Sequence, residues 1–172
     1  MQAQTHRHAL PLEPISAAAF EPFGQVIEAS EGAAPVSIND GFAQRWDSRA
    51  VVDTAQGGGT TRVSIYRNRP RLLPVQLSAL ERHLLGSQLF MPLAATTFVV
   101  VVARAGPVPP VSALRAFLVS AGRGVNLKPG TWHHPLLALD ATDFLVVDRR
   151  GPGGVEDCEV HSLASSGVWV EG

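Results

Sequence analysis

Proline and glycine occur so often in this chain that long regular elements have little room to form. The 172 residues include 13 prolines and 16 glycines. Proline removes a backbone donor and glycine favours turns, so both interrupt helices and central strands. The stretches between them are short runs rich in β-branched and aromatic residues, which favour strands. The pattern therefore predicts many short strands joined by turns, as in an all-β barrel or sandwich.

Six stretches carry the strand prediction. TTRVSIYR at 60–67 alternates, with Val63 and Ile65 on one face and Arg62 and Ser64 on the other. The other five are largely apolar: GQVIEA (24–29), QLFMPL (88–93), FVVVVA (98–103), LRAFLVS (114–120) and DFLVVD (143–148). Strands do not alternate with helices along the chain, which argues against a Rossmann-type sheet.

Two short helices are also predicted. Ser16 is placed to cap a helix at 17–20, which Pro22 and Gly24 would end. Ser78 is placed to cap one or two helical turns in LSALERH at 77–83.

The composition is that of an ordinary globular domain over residues 1–172. Hydrophobic residues make up 45% and charged residues 17%, and the net charge is −1, which favours neither disorder nor nucleic-acid binding. The single cysteine, Cys158, excludes an internal disulfide. The N-terminus lacks an apolar signal region, and the longest apolar run, FVVVVA, is too short to span a membrane. We therefore expect a cytoplasmic protein.

Four polar residues have a spacing that points to one site. Glu81 and His83 alternate in ERHLLGSQ, which ends at Gln88, and His133 closes the later segment PGTWH. Alternate residues on a strand share a face, and a Pro-Gly turn sets where the next strand begins. These spacings resemble, in degenerate form, the two signatures of cupins, which are double-stranded β-helix proteins. The resemblance implies a cupin-like barrel with the four side chains around one cavity, where their oxygens and nitrogens suit a divalent metal.

The same residues also have structural interpretations. If 77–83 is helical, Glu81 is an exposed surface charge and His83 caps the C-terminal end of the helix. Strand alternation lets only one of His133 and His134 point inward. We expect His133 to point inward and His134 to bond to the backbone.

Longer motifs resemble the ureidoglycolate lyase family of allantoin degradation. The most specific are ERHLLGSQLFMPL (81–93) and GVNLKPGTWHHPL (124–136). FVVVVA (98–103), TDFLVVDRRG (142–151) and DCEV (157–160) agree with the family in order and spacing. The resemblance runs from about residue 10 to about residue 163. Leu127 stands where many members have tyrosine.

The resemblance implies a carbon–nitrogen lyase that cleaves (S)-ureidoglycolate to glyoxylate and urea in purine catabolism, as a homodimer. This reaction needs a base, an acid and a clamp for the carboxylate. We expect His83, His133 and Glu81 to be catalytic, and the same three with Gln88 to form a possible metal site, for nickel by resemblance. We expect four residues to bind the substrate, namely Arg115, Asn126, Lys128 and Arg149. The alternative role of Arg149 is a structural ion pair with Asp148.

Three other functions are compatible with the same residues. An amidohydrolase would release ammonia and carbon dioxide from the same substrate in place of urea. A non-catalytic cupin-like protein would bind a small acid. A cupin isomerase or epimerase would act on sugars, although the low aromatic content of 6% disfavours a pocket that stacks against sugar rings.

Overall fold

The computed structural model describes residues 7–29, 34–47 and 49–172. Most of their regular secondary structure consists of short strands. In chain order the strands are β1 His8–Leu10, β2 Leu12–Pro14, β3 Gly24–Ile27, β4 Val36–Ile38, β5 Ala43–Arg45, β6 Thr60–Asn68, β7 Val75–Gln76, β8 Ala79–His83, β9 Gln88–Pro92, β10 Phe98–Ala103, β11 Arg115–Val119, β12 Gly124–Leu127, β13 Trp132–His133, β14 Leu137–Ala138, β15 Thr142–Arg150, β16 Cys158–Ser162 and β17 Val168–Val170. The α-helix α1 spans Ala17–Phe20, and 3₁₀ turns occur at Asn39–Gly41, Gln56–Gly58, Val111–Ala113 and Pro152–Gly154.

The prediction of a mainly β, cupin-like fold with few short helices is confirmed. Each of the six predicted strands is present, as β3, β6, β9, β10, β11 and β15. The predicted helix α1 is also present, and Ser16 caps it, since its Oγ accepts a hydrogen bond from the Ala19 amide at 3.2 Å. Because α1 has four residues, the described part of the chain contains no helix of the length and apolar character that a membrane crossing requires.

The predicted helix at 77–83 is wrong. Residues 79–83 form strand β8, which pairs antiparallel with β16 on one side and with β13 on the other. The helical pattern of LSALERH is local, whereas these two pairings join segments far apart in the chain. Such long-range pairing routinely overrides a weak local preference.

The strands form three main sheets. The central sheet has the order β16-β8-β13-β10-β11-β2, with β14 also paired to β10. The front sheet has the order β3-β12-β9-β15-β6, and the back sheet has the order β1-β17-β7. Strands β4 and β5 form a separate antiparallel pair. Among the described residues the sheets do not close into one hydrogen-bonded ring.

Strand β10 explains how the layers pack. All six of its residues are buried. Phe98, Val100 and Val102 join the core cluster that also contains front-sheet residues, while the intervening side chains join the cluster that contains back-sheet residues. Because successive side chains of a strand point to opposite faces, the central sheet lies between two hydrophobic cores. This explains why FVVVVA is apolar without alternation.

The core between the front and central sheets becomes polar at one end. On β15 the inward positions are Phe144, Val146 and Asp148, and all three are buried. On β9 the inward Phe90 packs in the core, whereas Gln88 is a buried polar residue. The apolar filling therefore stops where Asp148 and Gln88 begin, and a polar cavity follows.

Candidate functional site

A cavity of about 600 Å³ opens at this polar end, between the front and central sheets. Strands β6, β9 and β15 line one wall, and β8 and β16 line the other. Its lining residues are Arg62, Ser64, Tyr66, Asn68, Glu81, His83, Gln88, Phe90, Pro135, Leu136, Asp148, Glu156 and Cys158. A cavity of this size, with few apolar and many convergent polar groups, suits a small polar ligand.

The Pro-Gly turn brings the later histidine to this cavity. Gly130 has φ +79°, a conformation that glycine adopts without the strain other residues would meet, and the Thr131 amide closes the turn on the Lys128 carbonyl at 3.2 Å. The Gly130 amide also donates to the carbonyl of His83 at 2.7 Å. The turn is thus tied to the end of β8, and His133 pairs directly opposite Glu81.

Glu81, His83 and His133 form one cluster. The two imidazole rings lie 5.6 Å apart between centroids, and His133 Nε2 lies 3.3 Å from Glu81 Oε1. One ligand atom from each of the three residues lies within 4.8 Å of the others. Glu81 and His83 line the cavity, whereas His133 is 2% exposed and lies beside Glu81 without lining the cavity.

The hydrogen bonds of His133 define which nitrogen carries its proton. Nδ1 lies 3.0 Å from the Thr131 carbonyl, and because a carbonyl only accepts, Nδ1 must donate. In the neutral ring Nε2 is then an unprotonated acceptor that faces a carboxylate oxygen of Glu81. Two acceptors at this distance repel each other, so the contact needs a second proton on the ring or a cation between the two groups.

The cluster shifts the pKa values of its cavity-lining members. Burial, followed by the neighbouring His133, lowers the pKa of His83, although Glu81 and Asp157 act in the opposite direction. Burial acts to raise the pKa of Glu81, but the contact with His133 outweighs it and holds that pKa below its usual range. At neutral pH the cavity therefore presents a neutral imidazole beside an ionised carboxylate.

The donor atoms of the cluster fit a divalent metal ion. Nε2 of His83 and Nε2 of His133 are buried and make no hydrogen bond. The amide oxygen of Gln88 is also buried and also makes no hydrogen bond. Buried polar atoms without partners are uncommon. Two imidazoles and a carboxylate are ligands that nickel, zinc and iron accept. The structure thus shows a His/Glu cluster with free donor atoms, which is the composition that a metal site requires.

The opposite wall carries an arginine that is held by two carboxylates. Arg62 Nε and Nη2 contact Asp148 Oδ1 and Oδ2 at 2.8 and 2.9 Å. The outer edge of the same guanidinium contacts Glu156, with Nη2 3.2 Å from Oε2. Tyr66 stands on the same strand, and burial followed by the charge of Asp148 raises its pKa, so its hydroxyl remains a donor.

Cys158 lines the cavity opposite His83 in the register of β16 and β8. Its Sγ lies 3.9 Å from Glu81 Oε2. Burial, and then the charge of Glu81, raises the pKa of Cys158 to about 11. The thiol therefore stays protonated at neutral pH, and a protonated thiol is a poor nucleophile.

Two of the four substrate-binding candidates lie outside the cavity lining. Arg115 pairs with Glu13 at 2.5 Å and lines a separate, smaller depression. Lys128 Nζ contacts the carboxylate of Glu21 at 2.8 Å and the backbone carbonyl of the same residue at 2.6 Å. In the structure each cation is thus engaged by an acidic residue on the protein surface.

The other two candidates are buried on the outward face of the front sheet. Asn126 Nδ2 donates to the side chain of Gln25 and to the carbonyl of Val51. Arg149 donates to the carbonyls of Gln56 and Gly57 at 2.7 and 3.2 Å. The alternative ion pair between Asp148 and Arg149 is wrong, because neighbouring strand residues point to opposite faces and Asp148 pairs with Arg62 instead.

The structure adds cavity residues that the sequence did not single out. Four of them form an alternating series on β6, namely Arg62, Ser64, Tyr66 and Asn68. The other three are Asp148, Glu156 and Cys158. The alternation of β6 is as predicted, but its apolar side faces outward and its polar side faces the cavity. A polar residue at every second position of a strand was the signal available in the sequence.

A family model described as Ureidoglycolate lyase matches residues 7–171 of the chain. The chain is similar to proteins named ureidoglycolate lyase in Burkholderia mallei, at 48% identity with 84% of each chain covered, and in Burkholderia cepacia, at 49% identity with 83% of this chain and 81% of the relative covered. A protein of the same name in Pseudomonas syringae pv. syringae is 43% identical with 94% of each chain covered.

Among solved structures, the chain is similar to a dTDP sugar isomerase from Desulfovibrio desulfuricans. The two share 22% sequence identity with a TM-score of 0.43, over 80% of this chain and 84% of the isomerase.

Proposed function

The chain belongs to the ureidoglycolate lyase family, and from this premise we propose that its cavity cleaves (S)-ureidoglycolate to glyoxylate and urea. The observation that carries the proposal is that Glu81 and His83 meet His133, from a distant part of the chain, beside a cavity with a cation on its far wall. We further propose that residues 1–172 form one domain around this cavity.

The reaction moves one proton within the substrate. The bond between the carbinol carbon and the urea nitrogen breaks, the hydroxyl oxygen loses its proton and becomes the aldehyde oxygen of glyoxylate, and the nitrogen gains a proton. No water is consumed. A single group that accepts the first proton and returns it to the nitrogen is therefore sufficient.

The His83 imidazole has the properties that this proton transfer requires. It is neutral at neutral pH, it lines the cavity, and it is flanked by carboxylates that stabilise the imidazolium once formed. Glu81 and Asp157 are the carboxylates that act on it most strongly, and Asp157 Oδ1 lies 3.8 Å from His83 Nδ1. His133 contacts Glu81 from the neighbouring strand, with Nε2 3.3 Å from Oε1, and we assign it a positioning role in the absence of a metal.

The product assay tests this proposal directly. Incubation of the purified protein with racemic ureidoglycolate should release urea and glyoxylate in equal amounts and should consume one enantiomer. Ammonia without urea would instead support the amidohydrolase. Absence of turnover together with tight binding of glyoxylate would support a non-catalytic binding protein.

We propose in addition that the cluster binds Ni²⁺ when the metal is supplied. Glu81, His83 and His133 would hold the ion, with the Gln88 amide oxygen at the cavity side, and His83 would then no longer serve as the proton acceptor that it is in the metal-free protein. A bound ion would supply positive charge that makes the carbinol hydroxyl more acidic.

Calorimetric titration of the metal-free protein with Ni²⁺ should show one ion per chain. His133→Ala should weaken binding by at least about 100-fold, because ligand loss costs more than the 10–100-fold typical of outer-sphere changes. His161→Ala is a matched control, since His161 pairs with Leu80, whose side chain packs in the other core. Equal affinities of the two variants would show that the ion binds elsewhere.

We propose that the protein forms a homodimer and that the outward face of the front sheet is the dimer interface. Val63 and Ile65 on edge strand β6 are 64% and 56% exposed, and Leu145 and Val147 lie beside them in the register of β15. Exposed apolar surface of this kind marks interaction sites. The family resemblance agrees with a second copy as the partner.

Light scattering should therefore give twice the mass of one chain, and Ile65→Asp should reduce it to one. Val160→Asp is the matched control, because Val160 is 67% exposed on the central sheet. A monomeric parent, or an Ile65→Asp variant that stays dimeric, would contradict this assignment of the interface.

A further inference from the structure

Charge is distributed unevenly over the cavity wall. Arg62 is the only lysine or arginine among the described residues that line it, whereas Glu81, Asp148 and Glu156 are acidic. A small carboxylate that enters this cavity meets repulsion from three groups and attraction from one. Arg62 is thus the one lining group able to hold a carboxylate by a charge-assisted hydrogen bond.

Asp148 fixes the direction of the guanidinium. The two residues are cross-strand partners on β6 and β15, and their contact is bidentate. Asp148 is 3% exposed, and Gln88 Nε2 approaches its second oxygen at 3.5 Å. Because this pair uses the Nε hydrogen and one of the two Nη2 hydrogens, Asp148 leaves the edge formed by Nη1 and Nη2 free.

Glu156 occupies that remaining edge. Both of its carboxylate oxygens contact the guanidinium, which is the arrangement that a bound carboxylate ligand would adopt. In contrast to Asp148, the Glu156 side chain is 46% exposed and belongs to the segment that links a 3₁₀ turn to β16. Exposed ion pairs contribute little stability, so an incoming carboxylate can replace this contact at small cost.

We propose that Arg62 binds the carboxylate of the substrate and that Glu156 holds the same position in the free enzyme until the substrate displaces it. The inference rests on the proposed lyase function for the identity of the substrate, but the carboxylate site itself does not. Asp148 is then a positioning residue, which keeps the guanidinium edge directed toward the cavity. Urea has no carboxylate and therefore does not make this contact with Arg62.

Binding of glycolate tests the proposal without turnover. Glycolate carries the carboxylate and the carbinol of the substrate and lacks the ureido group. Calorimetry with the full-length protein should show that Glu156→Gln binds glycolate about 2–5-fold more tightly than the parent, because an internal competitor and a negative charge are removed. Arg62→Lys should bind it about 10–100-fold more weakly, because lysine keeps the charge beside Asp148 but loses the planar fork.

The chain offers a matched control for each change. Glu159 is 47% exposed and pairs with Arg82 away from the cavity, so Glu159→Gln should leave glycolate binding unchanged. Arg67 is on the same strand as Arg62 and pairs with Asp143, so Arg67→Lys should do the same. Both controls also remove or alter one surface ion pair.

The outcomes separate this inference from the proposed function. Parent-like glycolate affinity in Arg62→Lys, or weaker binding in Glu156→Gln, would overturn the assignment even if the parent releases urea. Arg62-dependent glycolate binding in a protein that releases no urea would support the carboxylate site and remove the lyase function. In the active enzyme the effect of Arg62→Lys should appear in KM more than in kcat.

Discussion

Replacement of His83 with alanine should lower kcat for urea release by about 10²–10⁴-fold, which is the usual contribution of a positioned acid–base group. His83 is the neutral imidazole that lines the cavity beside Glu81, and no other histidine among the described residues lines it. The substrate carboxylate is held on the opposite wall, so KM should change much less than kcat. Steady-state kinetics with a urea-specific assay measures both quantities.

His161→Ala is the control for this variant. His161 lies on β16, next to β8, and its cross-strand partner Leu80 packs in the core away from the cavity. Both variants should keep parent-like circular dichroism. A His83→Ala variant that retains more than about a tenth of the parent kcat would contradict the assignment, because loss of a positioned acid–base group has a larger effect. The proton-transfer role would then belong to another residue.

Replacement of Arg149 with methionine should lower the free energy of unfolding by about 3–5 kcal/mol, the range for breaking a buried charged network. The Arg149 side chain is 4% exposed, and it donates to two backbone carbonyls in the Gln56–Gly58 turn. Methionine fills similar space but leaves both carbonyls without these donors. Urea denaturation measures the change.

The glycines around Arg149 show how closely this region is packed. A Cβ on Gly59 would lie 2.4 Å from Arg149 Nε, and one on Gly86 would lie 2.5 Å from Arg149 Cβ. The guanidinium also approaches Asp157 at 4.0 Å, which in turn accepts a hydrogen bond from the Leu85 amide at 2.7 Å. Arg149 therefore supports the loops that follow β8 and precede β16.

Arg150→Met provides the comparison, because Arg150 is the exposed neighbour on the same strand. It should change the free energy of unfolding by less than about 0.5 kcal/mol, as surface substitutions usually do. A folded Arg149→Met protein of normal stability with a strongly raised KM would show that Arg149 contacts the substrate and that its structural role is minor.

The sequence predicted the strands well because their signals are local. The six apolar or alternating runs need no knowledge of distant residues, and the Pro129–Gly130 turn is specified by its own two residues. The segment 77–83 was different, because its strand character comes from β13 and β16, which lie far along the chain. No local pattern in LSALERH contains those partners.

The candidate site was partly visible for the same reason. Glu81, His83, Gln88 and His133 were found through motif spacing. Arg62 was not, because an alternating strand does not reveal which of its faces will be covered by another sheet. Lys128 and Arg115 are half-buried cations whose acidic partners, Glu21 and Glu13, lie about a hundred residues earlier, so their pairing required the folded structure.

The central claim is that His83 and His133, from separate strands, act as parts of one catalytic cluster. A double-mutant cycle on kcat/KM for urea release tests it, with His83→Ala, His133→Ala and the combined variant. Residues that work as a unit give strongly non-additive losses. The kcat/KM of the combined variant should therefore lie within about threefold of the kcat/KM of the less active single variant. Losses that multiply, or a His133→Ala enzyme as active as the parent, would contradict the account.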